Sequence, residues 1–442
     1  MKVNKGYRLM AALAAVALLS GCGVFKGKSG PKTPVLGERI PILTSESGVE
    51  VDPSLADVEV VLPAPETNVE WGQPGGNAAK SMGHLTLASA PQRVWSASVA
   101  GGSKKARLAS SPVVSNGRLY VIGTDARVRA FDANSGSPVW SVDFDSKGNS
   151  GALFGGGVSV EGDRVYVTNG VGDVAALNSA DGSTVWKKRP GGPLRGAPTI
   201  SNGNVYVMSQ DNQIFALNAT DGELIWSESG TLEVTGVFGV AAPAAAQGTV
   251  IAGYSSGELS AYRYENGRGL WGDALSRTSI STSVASLSDI DADPVIDRGR
   301  VYAVGQGGRM ASYELVTGQR LWEINTAGIS TPWVAGEWLF VVTDEAKLLC
   351  IARATGRIRW ISQLERYGNE KKKKNPISWT GPVLAGGRLI LVSSEGDLVY
   401  ANPVDGSVLA TQELGSGISL SPVVANNMLY ILDDDGRLTA YR

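Results

Sequence analysis

His84, Cys22 and Cys350 hold every imidazole and thiol of this chain. One imidazole cannot supply a nucleophile–base triad, and one imidazole with two distant thiols cannot close a zinc site. His84 also falls ahead of the repeated part of the sequence. Cys350 sits in Lys347-Leu-Leu-Cys-Ile-Ala352, an apolar strand-like run, where a free thiol reads as a small buried hydrophobe. The carboxylates offer little more. Asp433-Asp434-Asp435 falls at a hairpin turn of a kind found in every repeat, where Asp serves the turn backbone rather than a metal. Leu287-Ser288-Asp289-Ile290-Asp291 falls in the long connection from Trp271 to Pro294 and reads as a solvated turn or an acidic contact. Lys371 to Lys374 form a basic tip that could meet anionic lipid or an acidic partner, or simply be solvated. No catalytic residue, metal ligand set or cofactor is expected from these side chains, so the chemistry to look for is binding.

What must position them is a repeat. Gly followed four residues later by Trp recurs: Ser135-Gly-Ser-Pro-Val-Trp140, Asp181-Gly-Ser-Thr-Val-Trp186, Asp221-Gly-Glu-Leu-Ile-Trp226, Thr317-Gly-Gln-Arg-Leu-Trp322 and Thr355-Gly-Arg-Ile-Arg-Trp360, with Trp271 in a variant. Upstream of each stands a second word. Pro112-Val-Val-Ser-Asn-Gly-Arg-Leu-Tyr120 is one, and equivalents start at 158, 198, 243, 294, 332, 382 and 422, giving eight repeats. Each unit reads as short strands of alternating, β-branched or aromatic residues separated by tight turns. Gly is expected in the turn because the backbone there needs positive φ, and the Trp is expected to pack on the neighbouring unit. Four-stranded units at this spacing predict an all-β, eight-bladed β-propeller of antiparallel blades. The last repeat stops at Tyr441-Arg442 without its Trp word, which appears instead at Gln92-Arg-Val-Trp95. The N-terminal strand is therefore expected to close the ring. Trp95, Trp140, Trp186, Trp226, Trp271, Trp322 and Trp360 are the expected structural pegs, with Ala410 at the eighth place.

The N-terminus carries a different signal. Lys2, Lys5 and Arg8 precede an apolar run, Leu9 to Leu19, too short to cross a bilayer. It ends in Leu19-Ser20-Gly21-Cys22, which resembles the lipobox of bacterial lipoproteins. That resemblance implies cleavage before Cys22 and acylation there, whereas an ordinary secretory signal would leave Cys22 incidental. Gly23 in place of Asp favours the outer membrane, with the protein on its periplasmic face. With Cys22 acylated, Cys350 has no disulfide partner. Removing residues 1–21 takes three basic residues and leaves 37 against 42 acidic ones, a balance that argues against nucleic acid as a partner. The chain divides into a signal peptide at 1–21, a lipid-anchored, partly disordered linker or extension at 22–91, and the propeller at 92–442. Within the extension, Gly, Pro, Ser and Lys dominate up to residue 37, as in a flexible tether. Trp71 followed by Gly75-Gly76 is too specific for pure linker, and 38–91 is expected to lie partly against the propeller.

From residue 95 onward the repeats resemble the tryptophan-docking repeats of pyrroloquinoline-quinone dehydrogenases, with the pattern Ala-x-Asp-x-x-Thr-Gly-x-x-x-Trp. Those enzymes carry an adjacent Cys pair over the quinone and a Ca²⁺ site of Glu, Asn and Asp. The Cys pair is missing here, so the chain is not expected to be an enzyme. A quinone-dependent dehydrogenase remains the alternative, as does a propeller serving another envelope partner. A lipoprotein with eight such blades resembles the outer-membrane protein assembly factor BamB family. The resemblance implies a scaffold in the BAM complex that binds the POTRA domains of BamA, sits with other BAM subunits and aids unfolded β-barrel clients. In that family one loop carries Leu-x-Leu-Arg just before Gly with Ala-Pro downstream, and a second carries Leu-Ser-Asp-x-Asp before Pro. The second word stands at Leu287, Ser288, Asp289 and Asp291, which the resemblance assigns to BamA. The first is placed at Thr235, Val237 and Phe238, with Phe in the Arg place. Either the contact there has become apolar, or Phe238 packs under its loop.

Overall fold

Arg118–Ile122 and Arg127–Asp132 show why this chain makes sheets. Leu119, Tyr120, Val121 and Ile122 form a continuous apolar run, Arg127-Val-Arg-Ala130 alternates polar with apolar, and a turn with Ala126 at φ 55° joins the two strands. With Val113–Ser115 before them and Pro138–Asp143 after, they form one antiparallel four-stranded sheet. The computed structural model describes residues 49–103, 106–144, 156–232, 241–275 and 288–442. Within them stand eight such sheets, each a blade. Blade 1 is the sheet just described. Blades 2 to 7 begin at Gly156, Thr199, Ala244, Val295, Trp333 and Trp379. Blade 8 joins Val423–Ala425, Met428–Leu432 and Arg437–Tyr441 to Arg93–Ser98 from the other end of the chain, with Trp95 opposite Ala440. The ring is thus closed by the N-terminal strand. A two-stranded hairpin, Tyr367–Asn369 with Lys374–Pro376, projects from the connection between blades 6 and 7 and carries the four lysines at its exposed tip.

Burial grades outward along each blade. First and second strands are buried almost throughout, as in Val423–Ala425 and Met428–Leu432. Fourth strands bury little besides the Trp, as in Arg93–Ser98 and Thr184–Lys188.

The Trp and the Gly of the repeated word meet across each junction. The Trp186 indole N–H donates to Ala219 O of the next blade at 3.0 Å. Gly222, three residues further on at φ 73°, lies under the ring, where an added Cβ would come 2.5 Å from an indole carbon. The same arrangement holds for all seven tryptophans. Trp95, Trp140, Trp226, Trp271, Trp322 and Trp360 donate to the carbonyls of Ala133, Ser179, Tyr264, Leu315, Arg353 and Pro403. Six of them also pack on an aromatic ring of their own blade, such as Tyr166 for Trp186 with centroids 6.2 Å apart, while Trp271 packs on Tyr313 of blade 5 at 5.4 Å. The junction between blades 7 and 8 lacks the pair. Ala410 stands in the Trp place, and the turn it would dock on does not exist, because the third and fourth strands of blade 8 come from opposite ends of the chain.

Residues 49–91 of the extension lie against the ring. Val51 bridges Ile358 in parallel on the outer strand of blade 6, and the Asp52 amide donates to Ile358 O at 2.9 Å. Residues 66–86 then form a loop whose ends meet, with Glu66 N donating to His84 O and Thr86 N to Glu66 O. This loop touches the first strand of every blade, in ring order. Asn68 bonds Val424 O and Asn426 N of blade 8. Trp71 exchanges two backbone bonds with Val114 of blade 1, and Gly72 O accepts from Val160 N of blade 2. The Gln73 amide bonds both backbone groups of Ile200 in blade 3. Ala78 O and Ala79 O accept from Ala245 N and Ile296 N of blades 4 and 5. Gly83 O accepts from the Trp333 indole of blade 6, and Leu85 pairs with Leu384 and Gly386 of blade 7. Trp71 is 2% exposed and stacks on Trp333, with centroids 6.1 Å apart.

Candidate functional site: a buried Arg–Asp cluster at the channel mouth

The connection from blade 2 to blade 3 brings Leu194 and Arg195 to the centre of the ring, both wholly buried. Arg195 is held by its own backbone: its N–H donates to Met208 O at 2.8 Å and its carbonyl accepts from Gly156 N at 2.7 Å. The connection from blade 4 to blade 5 supplies Ser288, Asp289, Ile290, Asp291 and Asp293. It too is pinned by backbone bonds, Ile290 N to Tyr254 O and Gln306 N to Asp289 O. Ser288 Oγ donates to Ser255 O. Ile290 packs so closely over Gly253 that any side chain there would collide with it.

The two connections meet through charge. Arg195 Nη2 lies 3.1 Å from Asp291 Oδ1 and 3.8 Å from Asp289 Oδ1. The guanidinium also donates to Gly253 O and Ile290 O, and Gln306 Nε2 donates to Asp291 Oδ2 at 2.8 Å. Burial pushes the Asp291 carboxyl up to about 6; Arg195 opposes that rise and Asp289 adds to it. Asp293, whose Oδ1 accepts from Ala242 N, is also raised by burial, against the pull of Lys80. Lys80 comes from the extension and donates to Thr199 Oγ1 at 3.2 Å; burial lowers it to about 8, with Asp293 opposing. Below the cluster the channel keeps a cavity of about 140 Å³, lined by Asp291, Asp293, Ser110, Ser330 and Ser421 and floored by Trp71 and Lys80. Among the described residues no set of three or more His, Cys, Asp and Glu is placed to hold a metal ion.

Two sequence expectations change here. Asp289 and Asp291 are not a solvated turn: Asp289 is buried, the Asp291 side chain is 9% exposed, and Arg195 pairs with both. Arg195 itself was missed, although its signal was legible. Leu194-Arg195-Gly196-Ala197-Pro198 is a Leu-Arg word just before Gly with Ala-Pro downstream. Thr235, Val237, Phe238 and Leu287 lie outside the described residues, as does Cys22. The seven tryptophans lie at the blade junctions, away from this cluster.

The fold and site define a tryptophan-docked, eight-bladed β-propeller with a closed channel floor and a charge-paired mouth. The sequence profile of the outer membrane protein assembly factor BamB matches residues 81–151, 124–362 and 365–442. The chain belongs to that family. It is similar to the outer membrane protein assembly factor BamB of Salmonella typhimurium, with 31% identity over 439 residues, covering 98% of each chain. Its fold is similar to the crystal structure of BamB from Moraxella catarrhalis, with a TM-score of 0.65 at 18% identity over 80% of this chain and 98% of that one. A europium-containing methanol dehydrogenase shares the propeller at a TM-score of 0.66 and 13% identity, over 82% of this chain and 89% of that one.

Proposed function

We propose that this protein is a scaffold of outer-membrane β-barrel assembly, held to the periplasmic face of the outer membrane by acylated Cys22, and that its channel mouth docks BamA. The observation that carries this reading is the meeting of the two family words. Leu194-Arg195 and Ser288-Asp289-Ile290-Asp291 lie far apart in sequence, yet they are joined by a buried ion pair at 3.1 Å. Because the cluster is buried, its part in docking is to hold the mouth connections in one register. The partner then meets exposed residues of the neighbouring connections, Leu232 between blades 3 and 4 and Ile329 between blades 5 and 6 among them. Such pre-organisation lowers the entropy cost of docking. Leu287 belongs to the blade 4 to blade 5 connection, and Thr235, Val237 and Phe238 to the connection between blades 3 and 4; their side chains are the proposed direct contacts.

Unfolded β-barrel clients are proposed to add strands to the outer blade edges. The support is the chain's own extension, which pairs in parallel with the outer strand of blade 6 at Ile358. The remaining blades present an aliphatic residue just before the Trp position on that strand. Val94, Val139, Val185, Ile225, Leu270, Leu321 and Leu409 are all exposed.

A non-enzymatic role fits the residues better than a quinone reaction. The thiols are Cys22 and Cys350, and Cys350 is buried in a strand of blade 6 with its thiol pushed well above its usual range by burial. No adjacent pair exists to lie over a quinone.

The test is capture of purified BamA POTRA domains by the full chain and by Asp291→Asn, with thermal melts to show that the variant is folded. Weakened capture by a folded variant supports the reading. Unchanged capture by Asp291→Asn and by Phe238→Ala would remove this mouth from the interface.

A further inference from the structure

The loop of residues 66–86 bonds to the ring as a ligand bonds to a receptor. The blades are complete without it, since every strand comes from residues 93–441 and none from the loop. In seven of the eight blades the loop bonds the backbone of the first strand, and the bonds to Val114, Val160, Ile200, Ala245, Ile296, Leu384 and Val424 occupy one equivalent position in each repeat. Only blade 6 differs, answering with its Trp333 indole. Such backbone pairing is the mode by which sheets take up extended peptides, with pockets for a few side chains adding selectivity. The pockets are present: Trp71 on Trp333, Leu85 at 1% exposure, and Lys80 reaching Thr199. On the blade 8 side the loop is joined to the ring by residues 88–90, which are exposed.

We propose that the inner rim of the propeller is a peptide-binding site for extended segments with a Trp anchor and small flanking residues, and that residues 66–86 are its resident occupant in cis. The ring supplies backbone donors and acceptors at eightfold repeat, and the occupant supplies a Trp, a Gln amide that mimics a peptide group, and Gly or Ala where its chain must approach closely.

The experiment uses the full chain with a protease site introduced at 88–90. After cleavage, near-ultraviolet circular dichroism checks that the ring is intact. A fluorescent synthetic peptide of residues 66–86 is then added, alongside the same peptide with Trp71→Ala. Replacement of the cleaved segment by the peptide, with the Trp71→Ala peptide weaker by about tenfold or more, is the expected result. No uptake, or equal uptake of both peptides, overturns the proposal. Should cleavage unfold the ring, hydrogen exchange on the uncut chain decides. The amides of Val114, Val160, Ala245 and Ile296, which donate to the loop, should exchange together and before the blades' own ladders. Exchange of these four only with global unfolding would make the loop an inseparable part of the fold.

Discussion

At the level of single residues the molecule rests on the company each charge keeps. Arg195 is enclosed by two carboxylates and two carbonyls. Truncating one member of such a cluster strands the rest in a poorly solvating interior, which costs about 3–5 kcal/mol. Arg195→Met should lower the urea midpoint accordingly, and adding Asp289→Asn with Asp291→Asn should recover part of the loss. Asp291 gives a pH dependence of definite sign. Its folded carboxyl titrates near 6 against 3.8 unfolded, so the folded state holds a proton that the unfolded chain gives up. That contribution to stability is full below 3.8 and is lost as pH rises through 6. Asp291→Asn should therefore flatten the fall in melting temperature between about pH 4 and 7. The Asp pair was legible as a motif, but its burial was not: the arginine that neutralises it is remote in sequence, and no local pattern reports a pairing across two blades.

Elements here are set by the repeated word, and this is where sequence reasoning works best. A Gly that must take positive φ and a Trp that must find a partner leave the same mark in every repeat. The period itself announces strands, turns and junction at once. Gly222→Val should cost about 2–4 kcal/mol, because it adds left-handed strain to a collision with Trp186. Trp186→Ala should cost about 3–5 kcal/mol. The double variant should lose less than the sum, since the collision disappears with the indole. Denaturant melts of the three proteins test this. The extension was legible only as suspicion, at Trp71 and Gly75-Gly76. Its contacts follow the ring rather than the sequence, so they have no period to read.

For the whole molecule the weak place is the seam. Blades 7 and 8 meet without a Trp–Gly junction, and blade 8 is held shut by pairing between Arg93–Ser98 and Arg437–Tyr441. Deleting residues 437–442 should abolish cooperative unfolding in calorimetry, because it removes the third strand of blade 8 and leaves Trp95 without a sheet. Trp95→Ala should only lower the melting temperature, since the strand pairing remains. The inner loop spans this seam too, bonding blade 8 through Asn68 and blade 7 through Leu85.

Propellers diversify by gaining or losing whole blades, and a repeat this regular offers easy material for unequal recombination. The loop at 66–86 makes one stop at each blade and returns to its own start. A ring of seven would leave one stop without a partner, and a ring of nine would leave one blade unvisited. A gene that had duplicated or dropped a blade would therefore have to rewrite this short stretch as well. In that sense the extension acts as a tally, and blade number becomes a trait inherited in two separate places.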